Sequence, residues 1–292
     1  MTAEDDPNPG KVPRLGRPWA REKLALLRYY LGGTGEKGGG FMVATRNAPA
    51  RYLLDLFAGP GQSRLEDGEL LDGSPLIAAK ATPSFTRLFW VEARGENARS
   101  LEAHRADYPD RNITILQRDA NAAVGDVLSM VPRNAATLAF LDPEGAELQW
   151  STIARLARHK QRNKIELFIL FAYDMGIVRL FPRNPAGLKF QATLDRFMPD
   201  PDGWRRVYEQ RATLSVSGFR LAILNEYTSG LRKLGYQHVP PPRLIGKPDG
   251  RSLYFMIFAS DVEAGLNIMK YAFERVESTA RQPSFLPYDQ QY

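Results

Sequence analysis

The chain has no cysteine among its 292 residues. Disulfides, cysteine-based zinc sites, a cysteine nucleophile and an iron–sulfur cluster held by this chain alone are thereby excluded. Histidine is nearly as scarce: His104, His159 and His238 are too scattered to suggest a metal triad, and no metal site is expected. No apolar run approaches the length of a bilayer span, and the acidic, proline-containing N-terminus lacks the basic-then-apolar layout of a signal peptide. A cytoplasmic protein without membrane association is expected. What is there is an ordinary globular composition, 43% hydrophobic and 25% charged, long enough for one sizeable core with appendages.

The net charge of +6 is unevenly placed. From Arg179 to Gly250 stand twelve Lys/Arg against six Asp/Glu, whereas residues 1 to 178 carry 23 against 22. Such a segment suits contact with a polyanion, DNA or RNA, or is a solvated surface that happens to be basic. Arg183, Arg205, Arg206 and Arg211 are its candidate nucleic-acid contacts.

Residues 1–18, with Pro7, Pro9, Pro13 and Pro18 among glycines, read as a flexible arm. In residues 19–50, Trp19, Lys23, Leu24, Leu27, Tyr30 and Leu31 recur at helical spacing, and a glycine-rich linker follows. No Gly-Lys-Ser/Thr follows those glycines, so a linker is favoured over a phosphate cradle. Residues 51–280 read as an α/β domain carrying the basic insertion at about 179–250, and 281–292 as a tail.

The organising stretch is Tyr52 to Ser63. An apolar run ends at Asp55, and a turn follows with Phe57, Gly59, Pro60 and Gly61. In a doubly wound sheet this is the first strand and the loop at its carboxyl end, where nucleotides bind. The glycines permit positive φ and close backbone approach to a ligand. The third glycine of a dinucleotide fingerprint is missing. Glu66 to Gly73, polar and glycine-containing, reads as an insertion, and Ser74-Pro75 then signals a helix start, with serine as cap. A second strand, Thr86 to Val91, ends in Glu92, placed to bond ribose hydroxyls. A third, Ile113 to Leu116, leads to Asp119 and Ala120, suited to an adenine amino group and ring; Asp119 also reads as a helix cap. Ala136 to Leu141 is a fourth strand, with Asp142-Pro143-Glu144-Gly145 on its end. Ile165 to Ala172 makes a fifth, residues 217–234 a helix, and Tyr236–Val239 with Ser252–Ala259 an antiparallel sixth and seventh. The expected fold is α/β, a Rossmann-like doubly wound sheet of seven strands with flanking helices.

Asp55 and the Ala-Gly-Pro-Gly turn resemble motif I of the class I S-adenosylmethionine (SAM) methyltransferases. That resemblance implies SAM as cofactor, held by Asp55, Phe57, Gly59, Gly61, Glu92, Asp119 and Ala120. At the fourth strand end, amino-directed methyltransferases carry Asp/Asn-Pro-Pro-aromatic, where oxygens orient the target NH₂ and the ring stacks the base. Here Glu144 and Gly145 stand in the last two places, so stacking is missing from its usual position. Asp142, Pro143 and Glu144 are the candidate acceptor-side residues. Glu144 is either a general base or a charge at a helix N-terminus.

Taken with Trp19-Ala20-Arg21-Glu22-Lys23-Leu24, Gly73 to Ala78, Phe140 to Gly145 and Leu253 to Ser260, the chain resembles the three-Cys-motif partner proteins over nearly its full length. That is a bacterial group of methyltransferase-like Rossmann fold. The resemblance implies a radical-SAM-like partner with three cysteines and a nucleic-acid or repair setting. Three readings follow: a SAM-dependent methyltransferase acting on nucleic acid, a non-catalytic scaffold of the same fold serving that partner, and a nuclease using Asp142 and Glu144 to hold magnesium.

Overall fold

The computed structural model describes residues 10–16, 20–32, 40–181, 190–245 and 254–280. Trp19, Ser252, Leu253, most of the glycine linker, the tail 281–292 and residues 1–9 and 17–18 of the arm lie outside them. The chain divides into two units, Met1–Phe140 and Leu141–Tyr292.

The first unit runs β1 (Arg14–Leu15), α1 (Ala20–Leu31), α2 (Phe41–Ala44), β2 (Arg51–Asp55), β3 (Gln62–Arg64), β4 (Leu70–Asp72), α3 (Ser74–Ala79), β5 (Arg87–Glu92), α4 (Gly95–Arg105), β6 (Ile113–Gln117), α5 (Ala120–Ser129) and β7 (Ala136–Leu141). β2 lies parallel between β5 and β7, Leu54 facing Phe89 on one side and Ala139 on the other. β5 pairs in parallel with β6. Leu53, Leu54, Phe89, Trp90 and Leu138 are fully buried. Strands covered on both faces need apolar side chains in both directions, which is why these runs lack alternation. Gly73 caps α3, and Ser74 is already its first residue, one position from the expected cap; Pro75 sits in the first turn, where an N–H has no helical acceptor.

Two pieces differ from expectation. Residues 14 and 15, inside the stretch read as a flexible arm, form β1 in parallel with β3, Arg14 opposite Ser63. The Gly16 N–H donates to the Arg64 carbonyl at 2.7 Å, the Val12 N–H to the Ser100 hydroxyl at 3.2 Å, and Lys11 pairs with Asp107 at 2.6 Å. Pro13 lacks an N–H, but a two-residue strand beyond it does not need one. The stretch after the motif I turn, read as a polar insertion, is a hairpin: β4 runs antiparallel to β3, with Gln62 opposite Asp72. Asp67-Gly68 turns it, Gly68 at φ +86°.

The second unit comprises α6 (Trp150–Arg158), β8 (Glu166–Phe171), a π-helical turn (Tyr173–Ile177), α7 (Gln191–Phe197), α8 (Pro201–Glu209), α9 (Val216–Lys233), β9 (Arg243–Ile245), β10 (Tyr254–Ala259) and α10 (Glu263–Ala280). β10 is antiparallel to β8 and to β9, with Ile257 opposite Ile169 and Phe255 opposite Leu244. Tyr227 anchors the helices beside β8, its ring centroid 4.9 Å from Phe171 and 5.3 Å from both Phe197 and Trp150. The expected sixth strand at Tyr236–Val239 supplies only one bridge, His238 to Ser260. Pro240, Pro241 and Pro242 have no N–H to donate, so the ladder stops there and resumes as β9.

The seven-stranded sheet has the order β6-β5-β2-β7-β8-β10-β9. Strand order reverses at β2, and β10, the last strand in sequence, is inserted antiparallel beside β8. This is a doubly wound, Rossmann-like sheet with flanking helices. No helix among the described residues is long and apolar enough to cross a membrane.

Where β8 begins, Lys160, Glu166 and Ser260 are buried together, and the Ser260 hydroxyl donates to Glu166 at 2.9 Å. Burial pulls the Lys160 ammonium down to a pKa of about 8, against the attraction of Glu166 and Asp261. An unfolded lysine titrates near 10.4, so between these values the unfolded chain holds the extra proton and stability rises with pH. The expected result is that wild type gains stability relative to Lys160→Met from about pH 8 to pH 10. Urea unfolding of both proteins across that window checks it.

Candidate functional site

The motif I loop is tied down atom by atom. Asp55, at the end of β2, is fully buried, and its carboxylate accepts the Phe57 N–H at 3.3 Å. Leu56 N–H donates to the Phe140 carbonyl at 3.3 Å, and Ala58 N–H to Val91 at 3.0 Å. The Gly59 N–H donates to Glu92 Oε2 at 2.9 Å, while Glu92 Oε1 accepts the Arg94 N–H at 2.8 Å. Pro60 presents its carbonyl to the Ser100 hydroxyl at 2.8 Å, and Gly61 its carbonyl to Gly73 N–H at 2.7 Å.

Both glycines have the expected positive φ, +63° at Gly59 and +94° at Gly61. Their surroundings differ. Nothing lies within 4 Å of where a Gly59 Cβ would stand, so the loop is open there to a ligand. A Cβ on Gly61 would come within 2.6 Å of the buried His104 ring. Gly61 therefore meets a side chain of α4.

The three acids stand at the carboxyl ends of neighbouring strands. Asp55 ends β2 opposite Trp90 of β5; Glu92 ends β5 opposite Gln117 of β6; Asp119 follows two residues beyond. Asp119 is the cap of α5, its Oδ1 accepting from Asn121 and Ala122 N–H, both at 3.0 Å. Ala120 opens that helix, so its N–H lies in the first turn, where no helical acceptor exists. Glu92 was read as a ribose ligand, and it is also the clamp on the glycine turn. An ionised carboxylate accepts about four hydrogen bonds, so two backbone donors leave capacity for two hydroxyls. The donor set, the buried Asp55 and Glu92, and the open face at Gly59 fit an adenosine-bearing cofactor.

The second unit holds the other candidate loop. Asp142 is half-buried, Pro143 buried and Glu144 exposed. The Gly145 N–H donates to Glu147 Oε2 at 2.6 Å. Gly145 is buried against the π-helical turn: a Cβ on Gly176 would stand 2.5 Å from the Gly145 Cα. Beside this contact lies a cavity of about 390 Å³, bounded in part by Ala146, Glu147 and Phe190. Among the described residues no group of three His, Asp or Glu could hold a metal ion.

Three of the four candidate nucleic-acid arginines have partners within the chain. Arg205 pairs with Asp195 at 2.9 Å and lies 4.7 Å over the Trp204 ring. Arg206 pairs with Asp200 at 3.3 Å. Arg211 donates to the Phe181 carbonyl and lies 5.1 Å over Phe219. Arg183 lies outside the described residues. The segment that looks basic in sequence thus uses three of its cations to hold α7, α8 and α9 around Phe181 and Trp204. Sequence reasoning did not single out Phe190 or Glu147, which no motif marks.

No family model matches the chain, and neither does any curated protein. Among solved structures, the chain is similar to the putative methyltransferase yhhF from Escherichia coli, at 12% identity and a TM-score of 0.44 over 86% of this chain and 90% of that one. It is similar to protein LPL1258 from Legionella pneumophila at 11% identity, with a TM-score of 0.45 over 88% and 92%. A third, Trm1 from Pyrococcus horikoshii, solved with S-adenosyl-L-methionine, shows 12% identity and a TM-score of 0.45 over 85% of this chain and 58% of that one.

Proposed function

We propose that the protein is a SAM-dependent methyltransferase acting on nucleic acid. The observation that carries this is the Glu92 clamp on Gly59, which locks the motif I turn between acids at three adjacent strand ends. Asp55, Phe57, Gly59 and Gly61 shape the methionine and sulfonium side. Glu92 takes the ribose hydroxyls, and Asp119 with Ala120 meets the adenine. SAM supplies an electrophilic methyl, so the chain itself has only to align acceptor and cofactor and, through Asp142 or Glu144, accept the proton that leaves. The acceptor side rests on Asp142, Pro143 and Glu144.

The resemblance to the three-Cys-motif partner proteins supports a radical-SAM-like protein as the working partner. It also supports a second reading, favoured by the absence of an aromatic at Gly145: a scaffold of the same fold that binds nucleic acid for that partner. Titration calorimetry with SAM, followed by transfer of labelled methyl from SAM to cellular DNA and RNA, separates them. The enzyme gives saturable heat and labelled polymer; the scaffold gives no label. Absence of any SAM binding removes the enzyme reading. Affinity for nucleic acid should fall with added salt if cations of the 179–250 segment carry it. Because Arg205 and Arg206 already pair with Asp195 and Asp200, their loss would act through the fold of α8 as well as through charge.

A further inference from the structure

The cavity in the second unit has a wall of unusual composition. Phe190 is 46% exposed, whereas the other described phenylalanines are buried or half-buried. An aromatic ring left in water forgoes the free energy of burial, and here it stands in a concave wall with hydrogen-bonding groups. Glu147, Gln149, Thr193 and Arg196 line the same cavity. The Glu147 carboxylate is held by the Gly145 N–H at 2.6 Å, which fixes it as an acceptor. Arg196 is exposed and brings a cation to the same wall. Gly176 contributes to the wall from the π-helical turn, a distortion that recurs at functional sites.

We propose that this cavity binds a nucleotide through a base bearing an exocyclic amino group. The ring stacks on Phe190, the amino group donates to Glu147, and the phosphate meets Arg196. A stacking face, a fixed carboxylate and a guanidinium together match the flat ring, donor edge and anion of one nucleotide. The identity of the ligand rests on the nucleic-acid reading above. The inference deepens that reading, because it supplies from α7's leading edge the stacking surface that Gly145 does not.

The test is titration of the full chain, without SAM, with CMP, AMP, GMP and UMP, followed by calorimetry or NMR shifts. Saturable binding of CMP or GMP, tighter than UMP, is expected; AMP binding counts only where Phe190→Ala weakens it, because its adenosine also fits the turn at Gly59. Phe190→Ala should weaken it roughly fivefold or more, and Phe190→Tyr should retain it. Glu147→Gln should narrow the gap to UMP. No binding of CMP, AMP or GMP, or equal binding by Phe190→Ala with unchanged circular dichroism, overturns the proposal. Since SAM is left out, failure here and failure to bind SAM are separate results.

Discussion

Replacing Gly61 by alanine is expected to lower the unfolding free energy by about 2–6 kcal/mol, from backbone strain and overpacking together. Gly61 sits at φ +94°, which a residue with a side chain rarely adopts; holding alanine there costs about 1–3 kcal/mol. The new methyl would also stand 2.6 Å from His104 Cδ2, and the imidazole is only 3% exposed, so it has little room to yield. Overpacking of that kind adds about 1–3 kcal/mol. The midpoint of urea unfolding reads the sum. His104→Ala in the same chain should restore the steric part and leave the backbone part, so the double variant falls between wild type and Gly61→Ala. If Gly61→Ala unfolds at the wild-type midpoint, the packing of this loop on α4 is not as described.

His104 adds a pH dependence to the same loop. Burial, helped by the positive charge of Lys11, holds its pKa below the usual imidazole value, against the pull of Asp107. The folded chain therefore binds fewer protons than the unfolded one just below pH 6.5, and stability falls on acidification through that range. The His104→Ala background should lack that component.

The second large effect concerns Glu92. Its removal in Glu92→Ala should weaken SAM binding by about a hundredfold or more, since hydrogen bonds to a charged group are worth about 1.5–3 kcal/mol each. Two consequences coincide. The ribose hydroxyls lose their acceptor, and the N–H groups of Gly59 and Arg94 lose theirs, so the glycine turn is no longer fixed. Glu92→Gln keeps one carbonyl and should lie between. Calorimetry with SAM and with its 2′-deoxy analogue separates the two contributions. Wild type should discriminate between the ligands and Glu92→Ala should not. Unaltered SAM affinity in Glu92→Ala would remove Glu92 from the cofactor site.

The sheet was legible because parallel strands announce themselves: Leu53-Leu54, Leu88 to Val91 and Leu167 to Phe171 are apolar on both faces, and acids mark where three of the strands end. The Asp67-Gly68 turn was equally readable, as a hairpin signal inside a segment taken for an insertion. β1 was not, because two residues become a strand only when β3 offers them an edge. Charge was the least faithful guide. A count of arginines near 205 does not reveal that Asp195 and Asp200 already hold two of them. Phe190 and Glu147 lie far apart in sequence and share a cavity only through packing, so no spacing rule reaches them.

Ser100 has one further implication. Its hydroxyl donates to the Pro60 carbonyl and accepts the Val12 N–H, so one oxygen rivets the glycine turn to the leading segment of the chain. Any molecule that settles on the turn and displaces Pro60 must disturb that rivet. Cleavage by a protease near residues 10–16 then becomes an occupancy gauge that needs no label, and deletions reaching into this segment loosen the turn from behind.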